Sequence, residues 1–503
     1  MIVDGESLSI EDVVNVARKY EEVEIGEKVK ECVEKGRKTI EKILEEGKPI
    51  YGVNTGFGEL ANVKISNDKI EELQENLIRS HACGVGEALE EEVVRAIMLL
   101  RLNSLAKGFS GVRYEILERL AEALNKRFYP HVPSQGSVGA SGDLVPLAHV
   151  ALALVGEGEA YYNGQLMPAK EVLDKLDMKP LKLKAKEGLA LINGCQFMAG
   201  VACLAYHDAY NLLKNAQIAG VMSLEALKGT DQAFREEIAI ARPYNGQKKA
   251  IKNLWKLCQG SSIIASHKNC PKVQDAYSLR CMPQVFGAMY EGMDFIRNIL
   301  RTEINSATDN PLIFDDSVIS GGNFHGEPVA IALDLLNIIL TKLSSFSERR
   351  TARLLDEKLS ELPPFLAKEP GLNSGLMILQ YVAASLVSEN KSMAYPASVD
   401  SIPTSANQED YQSMGSIAAR KCMQILRNAE KVVAIEYIAA SQALDFFELQ
   451  PSPASKAAYD FIRKHVKMVE KDKAMYKEIE KIADFVHNGN ILAEVEKVVG
   501  ELL

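Results

Sequence analysis

Apolar residues recur at three- and four-residue spacings along most of the chain, with Lys and Glu between them. This spacing places the apolar side chains on one face of a helix, so it predicts amphipathic α-helices. Strand-like alternation is rare, and its best example is residues 182–185. The helical pattern is clearest in residues 11–20, 27–44, 71–78, 91–105 and 112–124.

Three longer segments, residues 200–227, 285–304 and 329–359, are apolar around more than one face. Helices of this kind are buried on several sides, as in a helix bundle. We therefore predict an all-α fold with a long central helix bundle and a mixed, loop-rich N-terminal region. Residues 1–199 would form the N-terminal region and residues 200–503 the long-helix core of one integrated subunit. A non-catalytic helical assembly protein would show the same periodicity.

The composition excludes a disordered chain. Of the 503 residues, 47% are hydrophobic and 25% are charged, and the net charge is −10. A chain of this kind can bury a large core. It carries no block of basic residues, which argues against nucleic acid or an anionic membrane as a partner.

The cysteines and the N-terminal residues indicate a cytoplasmic protein. The eight cysteines form no Cys-x-x-Cys pair and no metal-site spacing, and several lie in apolar runs. Free thiols in a reducing compartment therefore fit better than disulfides. The first ten residues lack the basic segment of a signal peptide. The apolar run 144–155 is too short to span a bilayer and is broken by Pro146 and His149.

Five Gly- or polar-rich stretches interrupt the helical pattern, and such loops often carry function on a rigid scaffold. Each of them, taken singly, is a weak indication. They are residues 51–58, 136–143, 193–196, 274–280 and 407–410.

The stretch 136–143 offers the most specific chemistry. Asp143 is a plausible N-cap for the apolar helix that follows, with Pro146 in the first turn. In Ala140-Ser141-Gly142 the Gly142 amide nitrogen, unhindered by a Cβ, can reach the Ala140 carbonyl carbon and close a five-membered ring. Loss of water from that ring and of the Ser141 hydroxyl would leave an electrophilic methylidene. The alternative is a Gly-rich turn that opens a helix or binds an anion.

Residues 136–149, Gly-Ser-Val-Gly-Ala-Ser-Gly-Asp-Leu-Val-Pro-Leu-Ala-His, resemble the motif of ammonia-lyases that build a methylidene-imidazolone (MIO) group from Ala-Ser-Gly. The likeness extends from Tyr51 to about Ser413 through five motifs in the family's order. It implies the ammonia-lyase/fumarase-like architecture and a homotetramer whose active sites are shared between three subunits. It also implies a small amino acid as substrate and no metal or external cofactor. The MIO would form from Ala140, Ser141 (as dehydroalanine) and Gly142, with an Ala140–Gly142 crosslink.

The resemblance assigns further roles one residue at a time. Tyr51 resembles the tyrosine that removes the β-proton of the substrate, and a tyrosine needs a stabilised phenolate for that role. Asn193 resembles the amide that hydrogen-bonds the MIO or its adduct. Tyr277 resembles a tyrosine beside the MIO, and Arg280 resembles the arginine that holds the substrate carboxylate. A guanidinium suits a carboxylate because it can bind both oxygens.

Four other residues resemble groups that surround the substrate. Gln274 and Gln284 are similar to supporting polar groups, and Phe324 is similar to an aromatic wall next to the MIO. Glu409, in Asn-Gln-Glu-Asp, resembles a glutamate that faces the substrate. Without the resemblance, these would read as a core phenylalanine and ordinary solvated side chains.

The pair Ser80-His81 resembles the Ser-His pair of the histidine enzymes of this family, where phenylalanine enzymes usually carry Phe-Leu and tyrosine enzymes His-Leu. Glu409 agrees, because the latter two commonly have Gln there. An imidazole needs hydrogen-bond partners, since a buried polar group left unpaired costs about 1–3 kcal/mol. The resemblance therefore implies non-oxidative deamination of L-histidine to trans-urocanate and ammonia.

Four positions depart from the pattern of the histidine enzymes. Tyr411 and Tyr395 stand where His is usual, Met282 where Gln is usual, and Cys195 where Thr is common. An altered aromatic substrate is therefore an alternative, with a tyrosine ammonia-lyase or an aromatic 2,3-aminomutase as the candidates. The mutase uses the same MIO but returns the amine at the β-carbon, and the two activities differ in residence time and loop closure.

Overall fold

The computed structural model describes residues 1–47, 49–56, 58–267, 272–315 and 317–503, so Phe57 of the 51–58 stretch and Cys270 lie outside the described residues. Helices predominate and strands are two to four residues long, which confirms the predicted all-α class. The helices are α1 Ile10–Arg18, α2 Val29–Glu46, α3 Ile70–His81, α4 Glu91–Ala106, α5 Tyr114–Asn125, α6 Leu144–Leu154, α7 Ala169–Lys175, α8 Glu187–Ile192, α9 Gln196–Ala226, α10 Glu236–Ala241, α11 Asn245–Cys258, α12 Ser262–Ser266, α13 Tyr277–Arg280, α14 Met282–Glu303, α15 Glu327–Leu355, α16 Glu357–Ser360, α17 Met377–Met393, α18 Gly415–Leu444, α19 Pro453–His465, α20 Tyr476–His487 and α21 Asn490–Val499.

The described strands form four small sheets. The first is parallel, β1 with β2, and the second is an antiparallel pair of β3 and β5. The third is the antiparallel set β4-β6-β7, and the fourth is the antiparallel pair of β8 and β9. The strands are β1 Ile2–Val3, β2 Glu24–Ile25, β3 Val85–Ala88, β4 Tyr129–Pro130, β5 Pro133–Gln135, β6 Glu159–Tyr162, β7 Gln165–Pro168, β8 Leu312–Phe314 and β9 Ser317–Ile319.

The chain forms two compact units, each built from three segments. Unit 1 comprises Met1–His207, Arg297–Asp334 and Pro396–Cys422. Unit 2 comprises Asp208–Ile296, Leu335–Tyr395 and Met423–Leu503. Four long helices, α9, α14, α15 and α18, run from a segment of one unit into a segment of the other. The division of the chain at residues 199 and 200 stays a prediction.

Three of the long helices were predicted from the periodicity, and the structure contains a further long helix, α18. The segments 200–227, 285–304 and 329–359 correspond to α9, α14 and α15, with ends shifted by a few residues. Helix α18 was not predicted, because its core positions include polar residues. Glu436 on α18 is fully buried and accepts hydrogen bonds from Arg350 at 2.5 and 2.7 Å. A buried ion pair of this kind interrupts the apolar stripe that sequence reasoning relies on.

The strand-like alternation of residues 182–185 does not form a strand. Leu183 and Ala185 are buried, as the alternation suggests, but these residues pair with no strand. Side chains satisfy the backbone instead: Arg113 donates to the Lys182 carbonyl at 2.6 Å, and Arg37 donates to the Ala185 carbonyl at 3.0 Å. An alternating pattern indicates which side chains are buried, but a β-strand also needs a partner strand for its backbone hydrogen bonds.

Helix α15 is long and apolar enough to cross a membrane by length and composition. Of its most apolar window, 67% is buried within the protein, as in the core helix of a soluble protein. The other apolar stretch noted in the sequence forms α6, which is only 11 residues long.

Candidate active site

A cavity of about 610 Å³ lies in unit 1 and brings together six of the residues that the sequence singled out. They come from distant parts of the chain: a loop after α2, the end of α3, the turn before α6, the link between α8 and α9, and two later loops. The six are Tyr51, His81, Ser141, Asn193, Phe324 and Glu409.

The Ala140-Ser141-Gly142 segment is a tight turn. Ser141 and Gly142 have φ values of +53° and +80°, and the Gly142 N–H donates to the Gly139 carbonyl at 3.3 Å. A Cβ on Gly142 would lie 2.2 Å from the carbonyl oxygen of Gly194, so only glycine fits. The turn keeps residue 142 free of a side chain, so no Cβ hinders the Gly142 nitrogen from closing a ring with the Ala140 carbonyl carbon.

Asn193 is fixed at both ends of its side chain. Its Nδ2 donates to the Ser141 carbonyl oxygen at 2.8 Å, and its Oδ1 accepts from the backbone N–H of Asn310 at 2.7 Å. Its own carbonyl accepts from Arg101 at 2.6 Å. The amide therefore presents a donor to the carbonyl oxygen at the centre of the turn, where a hydrogen bond would stabilise negative charge.

Asp143 directly precedes α6, as predicted, but its side chain makes no capping hydrogen bond, so that expectation is corrected. The carboxylate instead accepts from the Met198 N–H at 2.9 Å and the Ser416 hydroxyl at 2.6 Å. Burial raises the pKa of Asp143 to about 6, although these hydrogen bonds lower it. The Asp143 N–H donates to the Gly194 carbonyl at 2.7 Å. The Asp143 side chain therefore connects the turn to the first residues of α9 and does not cap the N-terminus of α6.

Tyr51 and Glu409 line the same cavity, and the charge of Glu409 acts on the phenol of Tyr51. Burial raises the pKa of Tyr51, a hydrogen bond with the Gly58 backbone lowers it, and the charge of Glu409 raises it. Glu409 is half-buried, and one of its carboxylate oxygens accepts from the Thr404 hydroxyl at 3.1 Å. The net effect favours the neutral phenol of Tyr51 in this environment.

His81 lines the cavity as a neutral imidazole with a defined tautomer. Its Nδ1 lies 2.8 Å from the Leu77 carbonyl, which can only accept, so Nδ1 carries the hydrogen and Nε2 is left as an acceptor. Burial lowers the pKa of His81, while the Leu77 hydrogen bond and Glu409 raise it, and the net direction is downward. Ser80 is exposed and lies outside the cavity lining, with its hydroxyl donating to the same Leu77 carbonyl at 3.0 Å.

Phe324 is half-buried in the cavity wall, and its carbonyl accepts from the Cys195 thiol at 3.0 Å. Cys195 is one of the departures from the family pattern, and it performs the hydrogen bonding that a Thr hydroxyl could perform. Burial raises the pKa of the Cys195 thiol well above its usual value, so the thiol stays protonated as a donor.

Four predicted site residues, Gln274, Tyr277, Arg280 and Gln284, lie in unit 2 and are absent from the cavity lining. Tyr277 and Arg280 are on α13, with the Arg280 guanidinium 4.8 Å from the centre of the Tyr277 ring. Tyr277 is 70% exposed and Gln274 is also exposed. Gln284 is half-buried on α14.

Three of the departures from the histidine-enzyme pattern also lie away from the cavity lining. Met282 is fully buried in unit 2 and packs against Gly220. Tyr395 and Tyr411 are exposed, and the ring of Tyr411 stacks on His325 at 6.1 Å. None of the three therefore shapes the described cavity.

Several cavity residues were not found from the sequence. Asn310 holds the Asn193 side chain and accepts from the Gly321 N–H at 2.7 Å. An Asn-Pro dipeptide reads as an ordinary turn, so nothing local marks it. Within the described residues there is no group of three or more His, Cys, Asp or Glu side chains that could hold a metal ion. The remaining polar residues of the lining to which the sequence assigned no role are Ser320, Thr404, Ser405 and Gln408.

Comparison with known proteins gives one consistent family. The family model for aromatic amino acid lyases matches residues 8–464. A histidine ammonia-lyase from Alkaliphilus oremlandii is 49% identical over 502 residues, which is 99% of both chains. Among solved structures, a tyrosine aminomutase from Streptomyces globisporus matches with a TM-score of 0.94 and 40% identity over 100% of both chains. A histidine ammonia-lyase from Trypanosoma cruzi matches with a TM-score of 0.92 and 40% identity, over 99% of this chain and 95% of that one.

Proposed function

The chain belongs to the aromatic amino acid lyase family and is a carbon–nitrogen lyase, and we propose that it deaminates L-histidine to trans-urocanate and ammonia. The observation that carries the choice of substrate is the pairing of His81 with Glu409 in one cavity. Both can accept a hydrogen bond from an imidazole, which an apolar pocket cannot do. The 49% identity to a histidine ammonia-lyase over the full chain supports the same substrate.

Ala140, Ser141 and Gly142 would hold the MIO. The Gly142 nitrogen would add to the Ala140 carbonyl carbon with loss of one water, and the Ser141 hydroxyl would leave as a second water. Two observations support the fit: the turn excludes a side chain at residue 142, and a donor points at the Ser141 carbonyl. Once formed, the group supplies an electrophilic carbon that no unmodified side chain offers.

The described residues would act on charge and protons around that group. The Asn193 amide would stabilise negative charge on the Ser141 carbonyl oxygen. Tyr51 would take the β-proton of the substrate. Because burial and Glu409 raise the pKa of Tyr51, the base role requires a positive charge near the phenol in the assembled, substrate-bound site.

The imidazole ring of the substrate would lie between His81 and Glu409. His81 Nε2 is an acceptor because Nδ1 donates to Leu77. A neutral imidazole has one N–H and an imidazolium has two, so two acceptors favour the cationic ring. A cationic ring also withdraws electrons from the β-carbon and makes its proton more acidic.

We propose that a second subunit completes the site. Gln274, Tyr277 and Arg280 carry the family pattern for substrate contact but lie in unit 2, and Tyr277 is largely exposed. The cavity lining holds no arginine or lysine for a substrate carboxylate among the described residues. A homotetramer with shared sites would bring Arg280 of another subunit to the carboxylate. We place this enzyme in the cytoplasm, where free thiols such as buried Cys195 and Cys203 persist.

The test is a panel of separate assays with L-histidine, L-tyrosine and L-phenylalanine. Absorbance reports urocanate, coumarate or cinnamate, and chromatography of the same reactions reports β-amino acids. Histidine should have a kcat/KM at least about tenfold above the other two. Faster processing of tyrosine would contradict the assignment. Accumulation of β-tyrosine would favour the aminomutase, a candidate supported by the similarity to the Streptomyces globisporus enzyme.

A further inference from the structure

Arg101 is a buried cation in contact with the backbone of Asn193, a residue of the cavity lining. It lies in the second half of α4, is 2% exposed, and belongs to unit 1 with the cavity. Nothing in the sequence marks it, because it falls within the apolar pattern of that helix. Removing a guanidinium from water is costly unless other groups compensate for the lost hydration.

The hydrogen bonds of Arg101 point at Asn193 and its neighbours. Nη1 donates to the Asn193 carbonyl at 2.6 Å and to Gln196 Oε1 at 3.1 Å, and Nη2 donates to the Ser104 hydroxyl at 2.9 Å. Nε has no partner. Of its partners, Asn193 is the one whose side chain reaches the Ser141 carbonyl.

The charge of Arg101 is not neutralised by an ion pair with any described carboxylate. Asp309 acts on it at longer range, but Asp309 is already paired with Lys186 at 2.9 Å, and both are fully buried. The carboxylate of Asp143 makes its hydrogen bonds with the Met198 N–H and the Ser416 hydroxyl and none with Arg101. All direct hydrogen-bond partners of Arg101 are neutral, so its guanidinium lies beside Asn193 with no carboxylate in contact with it.

We propose that Arg101 is a positioning residue for the lyase reaction: it fixes the backbone of Asn193 so that Nδ2 is aimed at the Ser141 carbonyl oxygen, and its positive charge favours negative charge on that oxygen. The proposal rests on the proposed function. A fixed donor and a fixed charge in a water-poor interior act without reorganising when charge develops. The buried, unpaired cation then has a role in the reaction besides stability.

The test compares Arg101→Met with Arg95→Met as a matched control. Arg95 is on the same helix, is 1% exposed, and also donates to backbone carbonyls, those of Val16 and Leu124. It has no contact with the cavity lining. Both variants lose a buried arginine, so both should lower the thermal midpoint, measured by calorimetry on the full-length assembled enzyme.

Three readouts separate positioning from stability. Mass spectrometry gives the fraction of chains in which the 140–142 peptide lacks two waters, and kcat is divided by that fraction. Arg101→Met should lower this corrected kcat at least about tenfold, but less than the roughly 100–1,000-fold lost with a direct oxyanion donor. KM should change less than about threefold. Inactivation by borohydride should slow at least about tenfold, because hydride addition also places negative charge on the Ser141 oxygen. Arg95→Met should leave the corrected kcat and the borohydride rate within about threefold of wild type.

Arg101→Lys and Arg95→Lys repeat the comparison if the Met variants do not fold. Lys keeps the charge and loses the planar fork, so the Arg101 variant should still lose kcat more than the Arg95 variant. Equal corrected kcat and equal borohydride rates in the two variants would overturn the proposal. A wild-type enzyme without the two-water deficit, or without histidine turnover, would instead refute the proposed function, and this result is read before any variant is compared.

Discussion

The Asn193 side chain donates to the carbonyl oxygen of Ser141 at 2.8 Å, across 52 residues of sequence. The direction of this bond is determined, because the other end of the amide accepts from the backbone N–H of Asn310 at 2.7 Å. A rotated amide would place its NH2 group against that N–H and lose both hydrogen bonds. The donor that faces the turn is therefore a property of the fold.

Ser141→Ala should keep the fold and lose most of the activity, because an alanine side chain cannot become a methylidene. In the wild-type enzyme the peptide that spans residues 140–142 should be lighter by two waters. Peptide mass spectrometry and circular dichroism of both proteins check this. A wild-type peptide of full mass in an active preparation would contradict formation of the MIO.

Glu409→Gln should depress turnover of histidine strongly, by about 10–100-fold in kcat/KM, and should affect any residual turnover of tyrosine less. The substituted amide keeps the size of the side chain but loses the charge that favours an imidazolium. The two kcat/KM values are measured side by side. An equal loss on both substrates would mean that Glu409 does not contact the imidazole.

Glu409→Gln should also move the pH dependence of kcat/KM. Burial raises the pKa of Tyr51, and the negative charge of Glu409 raises it further. Removing that charge lowers the pKa, so the limb on which activity rises with Tyr51 deprotonation should shift to lower pH. Thr404→Val is the control, since it removes the hydroxyl that donates to Glu409 and accepts from Gln412 but keeps the charge of Glu409. A limb that does not move would argue against Tyr51 as the titrating base.

Two inactive variants should restore activity to each other if the sites are shared. Tyr51→Phe and Arg280→Met remove one residue from unit 1 and one from unit 2. In tetramers co-expressed from both genes, about one quarter of the sites would receive both wild-type residues, because each comes from an intact subunit half of the time. Activity is measured after purification through two different tags. No recovery would indicate sites built within one subunit.

Lys186→Met should destabilise the protein by about 3–5 kcal/mol, because it leaves the carboxylate of Asp309 buried and unpaired. Both members of this pair are fully buried, and Asp309 directly precedes Asn310. The exposed pair of Lys35 and Asp315 provides the control, and Lys35→Met should leave the urea midpoint unchanged. Equal midpoints for the two variants would show that the buried pair contributes no more than a surface pair.

Much of the fold could be predicted from local patterns. The periods of three and four residues located α1 to α5 and three of the long helices, because an amphipathic or wholly apolar helix reports its own burial. The pattern did not locate α18, whose buried Glu436 is compensated by Arg350 far along the chain. The alternation at 182–185 forms no strand for a related reason, since arginines far away in the sequence donate to its backbone carbonyls.

The candidate site, like the fold, could be predicted only in part from the sequence. The sequence by itself determined that an Ala140-Ser141-Gly142 segment is present and which residue types resemble the family's motifs, because these depend on neighbouring residues and short patterns. Only the tertiary structure decided that Asn310 orients the Asn193 side chain and that Arg101 donates to the Asn193 carbonyl. It also decided that Arg280 lies in a different unit from the cavity. These relationships depend on hydrogen bonds and charges between residues that are far apart in sequence. Their strength comes from burial, which no local pattern of residues specifies.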